Sequence, residues 1–248
     1  MVGELLAQDW SPQQIAAALP LLYPGDDGMR VSHETIYQSL FVQTRGELRR
    51  ELTEHLRSKR MHRTPRTGVK RRGLLGIVPI SERPAEAGDR AVPGHWEGDL
   101  LLGGVGKGAV ITLVERRSRF VLLAPLPARH AALDLKAELT PLIAALPQAL
   151  RRSLTWDRGS EMAEHAQIAI DAHINIYFAD PHAPWQRGSN ENTNGLLRQY
   201  WPKGADLRQL THADTDRVAR LLNTRPRQTL GWKTPAQALN EALSATAD

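Results

Sequence analysis

Trp96-Glu97-Gly98-Asp99-Leu100-Leu101-Leu102 reads as a buried strand, and the texture of the chain changes where it begins. Downstream, Ala109 to Glu115 and Phe120 to Leu126 are two further strand-like runs with short connections, the pattern of an antiparallel meander. The first connection, Gly103-Gly104-Val105-Gly106-Lys107-Gly108, is not a phosphate-binding loop: the first required glycine falls on Leu101 and the hydroxyl position on Gly108, so a hairpin turn is expected. A helix follows from Ala131 to about Leu146, with Leu135, Leu139, Leu142 and Leu146 on one face and Pro141 as a break point. Ser153 to Asp157 is a fourth strand, Glu161 to His173 a helix with Met162, Ala166 and Ile170 inward, and Ile174 to Ala179 a fifth strand. The next helix begins in Pro184-Trp185-Gln186-Arg187-Gly188-Ser189-Asn190-Glu191, with Ser189 or Asn190 as its cap. Three strands, helix, strand, helix, strand, helix predicts an α/β fold, a mixed sheet with helices on both faces.

Upstream of Trp96 the chain reads differently. Gly73 to Val92, with Pro79 and Pro84 and few periodic apolar positions, is expected to be linker. Before it, Arg57, Lys59, Arg60, Arg63, Arg66, Lys70, Arg71 and Arg72 are eight cations with no intervening Asp or Glu, a basic tether suited to lie along phosphates. Leu48, Leu52 and Leu56 mark an amphipathic helix leading into it. Nearer the N-terminus, Ser11-Pro12-Gln13-Gln14 carries a capping box with proline at the first helical position, and Ile15, Leu19 and Leu22 form an apolar stripe. Ser32 caps a second helix after a turn at Pro24 to Gly28, with Val31 placed to staple onto Ile36. Two short helices on one seam fit a helix-turn-helix that presents Ser32, His33, Thr35, Tyr37 and Gln38 to a DNA groove, and fit equally a hairpin that only packs.

The totals exclude several classes. With no cysteine among 248 residues, disulfides, thiolate catalysis and cysteine-based zinc sites are ruled out. No apolar run approaches the roughly 18 residues of a membrane span, and the N-terminus lacks a basic stretch leading into an apolar one, so the cytoplasm is expected. A hydrophobic content of 41% is ample for a core, and a net charge of +5 points toward a polyanionic partner.

Three carboxylates stand out. Asp99 lies on the first strand amid leucines, where a carboxylate needs a counter-charge. Asp157 ends a strand and opens onto Arg158-Gly159-Ser160, the kind of position where ligands collect in open α/β sheets. Glu191 sits in a first helical turn, which favours negative charge, and Arg198 follows seven positions later on the same face. Read singly, the two aspartates are strand-terminal hydrogen-bonding residues and the Glu–Arg pair two solvated groups. Read together, they are hard oxygen ligands that select magnesium or manganese, with two ions about 4 Å apart for in-line displacement at phosphorus. Glu97 lies nearer the strand's start on the same face as Asp99, and Glu161 begins a helix; both are set aside. His95, His130, His165, His173 and His182 lack metal-ligand spacing and are expected at the surface or in packing.

Gly94-His95-Trp96-Glu97-Gly98-Asp99-Leu100, Thr112 to Arg119 (TLVERRSR), Thr155 to Met162 (TWDRGSEM), the stretch from Pro184 to Trp201 and the tail Asn223 to Pro235 (NTRPRQTLGWKTP) together resemble the IS-thirty family of bacterial insertion-sequence transposases. The resemblance runs from Ser11 to about Leu239. It implies a ribonuclease-H-like integrase core in which Asp99, Asp157 and Glu191 match the metal-binding DDE triad, the last two being 34 positions apart, and Arg198 matches the basic residue after the glutamate. It further implies two Mg2+ ions, replaceable by Mn2+, double-stranded DNA as partner, a homo-oligomer assembled on it, and a nucleoid-associated place in a bacterial cytoplasm. The expected organisation is a helical DNA-binding region over 1–58 (helix-turn-helix about 11–40), a basic linker over 59–92, the catalytic core over 93–202 and a C-terminal helical extension over 203–248. Family members usually carry a further N-terminal helix-turn-helix, and this chain starts at a point that looks internal. Two rival readings follow: a truncated or domesticated copy that only binds DNA, and a ribonuclease-H-like nuclease, which leaves the tail and the N-terminal helices unexplained.

Overall fold

The computed structural model describes residues 1–42, 74–126, 131–181 and 183–245. The basic tether from Arg57 to Arg72, the Leu48–Leu56 helix, His130 and His182 lie outside them. The chain divides into two compact units, one of Met1–Arg66 with Thr224–Pro235, the other of Thr67–Asn223 with Ala236–Asp248.

The smaller unit contains α1 (Val2–Ala7), α2 (Pro12–Leu22) and α3 (His33–Val42). Ser11 caps α2 as its sequence requires: the Gln14 backbone N–H donates to Ser11 Oγ (3.3 Å) and the Ser11 N–H donates to Gln14 Oε1 (2.9 Å). Ser32 Oγ likewise accepts from the Thr35 N–H at 3.1 Å and opens α3. Leu5, Leu6, Ile15, Leu19 and Ile36 form the core, with Val31 packed against it. Helix α1 was not legible in the sequence; six residues with two inward leucines are too short to show a period. The tail from Thr224 joins this unit through a 2.9 Å bond from Gln14 Nε2 to the Pro226 carbonyl and a sequestered Arg225–Asp9 ion pair at 3.5 Å.

The larger unit is built on a five-stranded sheet ordered β3-β2-β1-β4-β5, made by β1 (His95–Leu102), β2 (Ala109–Glu115), β3 (Val121–Leu126), β4 (Ser153–Trp156) and β5 (Asn175–Phe178). The first three strands are the expected antiparallel meander, and β4 and β5 add in parallel beyond β1. Alternation sends Trp96, Ile111, Leu113, Leu154 and Trp156 to one face, against α5 (Ala132–Ala144) and α6 (His165–Ala172). Leu101, Val110, Val114 and Leu123 go to the other, against α7 (Gly188–Leu197) and α8 (His212–Asn223). The α8 terminus also protects the free edge of β3: Asn223 Oδ1 accepts from the Val121 N–H (2.8 Å) and its Nδ2 donates to the Val121 carbonyl (2.9 Å). Helix α9 (Pro235–Ser244) closes the chain.

Three local expectations are corrected. The segment before β1 is structured from Leu74 on: the Phe178 N–H donates to the Val78 carbonyl (2.8 Å), Pro79 bridges to Phe178, and α4 (Ala85–Asp89) precedes the first strand. Helix α5 runs on through Pro141 to Ala144, giving up the one i→i−4 bond that proline cannot donate. Helix α6 starts later than expected, after a 3-10 turn at Ser160–Met162, which rotates its inward face to His165, Ile168 and Ala172 and leaves Ile170 exposed. His95 and His165 are buried, His95 Nδ1 lying 2.7 Å from Ser153 Oγ and His165 Nδ1 2.9 Å from the Met162 carbonyl, so both pack.

Gly98 is fixed by the indole above it. A Cβ at this position would lie 2.1 Å from the Trp156 ring, and Trp156 is fully buried. Gly98→Ala should therefore cost at least the ~1–3 kcal/mol typical of overpacking, read as a lowered denaturation midpoint with α/β circular dichroism retained.

Candidate active site

The parallel register of β1 and β4 determines where two of the carboxylates stand. Glu97 is level with Thr155, so Asp99, within β1, and Asp157, the residue that follows β4, each two residues further on, are level on neighbouring parallel strands. Both point to the face covered by α7. One guanidinium joins them: Arg187 Nη1 lies 3.4 Å from Asp99 Oδ1, and Nη2 donates to Asp157 Oδ2 at 3.2 Å. Nη1 also donates to the Gly98 carbonyl at 3.1 Å. Arg187 ends the 3-10 turn Pro184–Arg187 that leads into α7.

Helix α7 is anchored by amides, not capped by them. It begins at Gly188, earlier than the expected Ser189 or Asn190 cap. Asn190 is fully buried: its N–H donates to Glu97 Oε2 (3.0 Å), its Nδ2 to the carbonyls of Glu97 (2.8 Å) and Thr112 (3.1 Å), and its Oδ1 accepts from Thr112 Oγ1 (2.9 Å). One turn on, Asn194 Nδ2 donates to Asp99 Oδ2 at 3.1 Å. Ser189 Oγ accepts from Arg119. Glu97, equally buried, is neutralised by an ion pair with Arg116, whose Nε donates to the Ala87 carbonyl at 2.8 Å. Glu97 thus anchors the helix bearing Glu191, which is why it shares a face with Asp99 without sharing its surroundings.

Glu191 stands on the exposed side of α7, one residue past Asn190. Arg198 is the C-cap of the same helix; its Nη1 donates to the Trp201 carbonyl (3.3 Å), and burial pulls its pKa down. Among the described residues no three acidic or histidine side chains converge closely enough to hold a metal together. Asp99 and Asp157 nevertheless fit a hard cation: two carboxylates share one cationic partner, and Asp99 keeps its oxygens on a protein-bound face. Asp99 has its pKa pushed up by burial, pulled back by Arg187 and pushed up again by Asp157.

Glu161, set aside in the sequence, belongs to these surroundings. It follows Asp157 by one turn, and its carboxylate packs on Gly159, where a Cβ would lie 2.1 Å from Oε1. Burial raises its pKa, and the Asp157 and Asp99 charges raise it further. Arg187, Asn190 and Asn194 were also missed; all three lie inside the quoted Pro184 to Trp201 stretch, but nothing in a linear sequence ties them to β1 and β4. In the smaller unit, Thr35, Tyr37 and Gln38 are exposed on α3 and His33 partly so, while Ser32 is engaged in capping and in a 3.0 Å bond with the Thr35 hydroxyl.

A five-stranded sheet ordered β3-β2-β1-β4-β5, with helices on both faces and two level aspartates, is the framework of a polynucleotidyl transferase core of the ribonuclease-H-like, integrase type. The integrase core domain family model matches residues 89–184. The transposase for insertion sequence element IS1086 of Cupriavidus metallidurans is 48% identical over the whole chain, which covers 74% of it. The transposase InsI for insertion sequence element IS30A of Escherichia coli is 41% identical over 99% of the chain, which covers 65% of it. The transposase for insertion sequence element IS4351 of Bacteroides fragilis is 34% identical over 97% of the chain, which covers 72% of it. Among solved structures, the catalytic core domain of BIV integrase is similar over 62% of the chain and 99% of its own length, with a TM-score of 0.46 and 18% identity. The chain belongs to the IS-thirty family of insertion-sequence transposases, enzymes of the metal-dependent DDE class.

The Glu161 shift gives a signed expectation. A carboxyl whose folded pKa is raised costs stability once ionised, a cost absent when both states are protonated and growing as pH rises through the folded pKa. Glu161→Gln should therefore melt above the unsubstituted chain at pH 7, with the gap closing as pH falls below the ordinary glutamate range. A gap independent of pH would show that packing, not charge, is responsible.

Proposed function

We propose that this chain cleaves DNA at the ends of an insertion sequence and joins the freed 3′ ends to target DNA, using Asp99, Asp157 and Glu191 as ligands of two Mg2+ ions. The observation that carries the proposal is the level placement of Asp99 and Asp157 on neighbouring parallel strands, beneath a helix that Asn190 fixes to the sheet and that carries Glu191. Transposase relatives at 48% and 41% identity support the same reading. Magnesium bound there would activate a water or a 3′ hydroxyl and stabilise the departing oxygen. In the first reaction water oxygen bonds to phosphorus, the P–O3′ bond breaks, and the 3′ oxygen leaves as a hydroxyl. In the second, that hydroxyl attacks a target phosphodiester, which loses its own 3′ oxygen. Asp99 and Asp157 hold the rigid side of the site, since both are strand-borne; Glu191 supplies the helix-borne side. Arg198, at the end of the same helix, would contact a phosphate near the cleaved bond.

The partner is double-stranded DNA, engaged by a homo-oligomer on the bacterial nucleoid in the cytoplasm. No helix among the described residues is long and apolar enough to cross a membrane. In the helical unit the α3 residues His33, Thr35, Tyr37 and Gln38, with Ser32 at the cap, would face a groove. The eight cations from Arg57 to Arg72 would add sequence-independent affinity that falls steeply with salt.

Nicking of plasmid DNA and strand transfer of pre-cleaved oligonucleotides, with Mg2+ or Mn2+, test the reading. Asp157→Asn should reduce both by at least about a hundredfold, as loss of a metal-activated nucleophile implies, while low-salt DNA binding persists. Equal activity in the variant would remove Asp157 from the chemistry. DNA binding by an unsubstituted chain that neither nicks nor joins would favour a binding-only role.

A further inference from the structure

We infer that Arg187 is the resident counter-ion of the Asp99–Asp157 pair, occupying the place between the two carboxylates that a metal ion takes, so that metal entry requires its guanidinium to leave. The inference rests on the metal-site reading above and concerns what holds that site together before metal arrives.

Three observations carry it. First, a single side chain spans both carboxylates: Nη1 reaches Asp99 Oδ1 (3.4 Å), Nη2 reaches Asp157 Oδ2 (3.2 Å), and the carbonyl of Gly98, beside Asp99 on β1, holds Nη1 (3.1 Å). Two aspartates level on adjacent strands repel unless a cation stands between them, and Arg187 is the cation that contacts both. Second, the guanidinium is incompletely satisfied. The side chain is only 15% exposed, yet its Nε is buried with no hydrogen-bond partner among the described residues. A buried donor left unpaired offsets part of what the ion pairs contribute, so this arrangement is one a better cation can displace. Third, Arg187 is the N-cap of α7, and Glu191 lies four residues further along, one turn above it. A guanidinium swinging away from the strands would leave the two aspartates open to a metal at the start of the helix that carries Glu191. This explains why no three carboxylates converge among the described residues while two of them already stand together.

Competition between a built-in cation and a metal has a definite thermodynamic signature. What Arg187 contributes to the metal-free protein must be given up when metal binds, so removing it weakens the former and strengthens the latter. The test is calorimetric titration of the full chain with MnCl2, together with thermal denaturation in EDTA, for the unsubstituted chain, Arg187→Gln, Arg187→Lys and Asp157→Asn. Arg187→Gln should bind Mn2+ on the order of tenfold more tightly, a coupling of ordinary size, and melt lower in EDTA, with the deficit removed at saturating Mn2+. Arg187→Lys, a cation unable to fork between two carboxylates, should fall between the two and carries the test if the glutamine variant does not fold. In EDTA, the destabilisation caused by Arg187→Gln should shrink in the Asp157→Asn background, because the repulsion it uncovers is gone. Folded Arg187 variants that bind Mn2+ equally or more weakly than the unsubstituted chain would overturn the inference while leaving the metal site standing. Absence of Mn2+ binding in every variant would overturn the metal site itself, and the competition with it.

Discussion

Two aspartates carried level on neighbouring parallel strands repel each other, and the architecture around them is arranged to make that juxtaposition tolerable. The strands are rigid because β1 is central, paired antiparallel to β2 and parallel to β4. Trp156, fully buried beside Asp157, packs directly on the Gly98 backbone beside Asp99, so a residue with any side chain at 98 would push the two strand ends apart. The strands that carry the two carboxylates are fixed side by side. The carboxylates' charge must be met by a cation, and Arg187 meets it from the turn that begins α7.

The position of α7 follows from a second buried charge. Glu97 is held by Arg116 on one oxygen and receives the Asn190 N–H on the other, while the Asn190 side chain ties β1 to β2 through both their carbonyls. Breaking either partnership would strand a buried carboxylate, which is far more costly than losing an exposed pair. The turn between β2 and β3 serves the same end. Glu115 accepts from the Gly94 and Ser118 N–H groups at 3.1 and 2.6 Å, and Arg119 reaches Ser189. The charged run Glu115 to Arg119 is largely a frame that orients the helix bearing Glu191.

The sheet was legible in the sequence because its signals are local: a two-residue period, glycine-rich turns and β-branched runs place all five strands to within a residue or two. Helix caps at Ser11 and Ser32 were legible for the same reason. The start of α7 was not. Ser189 and Asn190 have the composition of caps, but Asn190 is drawn inward by carbonyls 78 and 93 residues away, and that demand leaves no trace in a window of ten residues. The inward face of α6 failed similarly, since the 3-10 turn at Ser160–Met162 shifts the phase of every residue after it. Of the candidate site, Asp157 could be found from its position at a strand end and Asp99 as a carboxylate amid leucines on the first strand. Arg187 could not, because its meaning depends on the parallel register of β1 and β4, which is a property of the assembled sheet.

The central claim is that the space between Asp99 and Asp157 is a cation site, filled by Arg187 until metal takes its place. It is tested most directly by anomalous diffraction at the manganese edge from crystals of the chain grown with a DNA end and MnCl2. A peak is expected at about 2.0–2.3 Å from oxygens of both aspartates, as for a small hard cation, with Glu191 turned toward it and the Arg187 guanidinium withdrawn. A peak elsewhere, or none, with Arg187 still spanning the two carboxylates in the presence of DNA and saturating Mn2+, would contradict it.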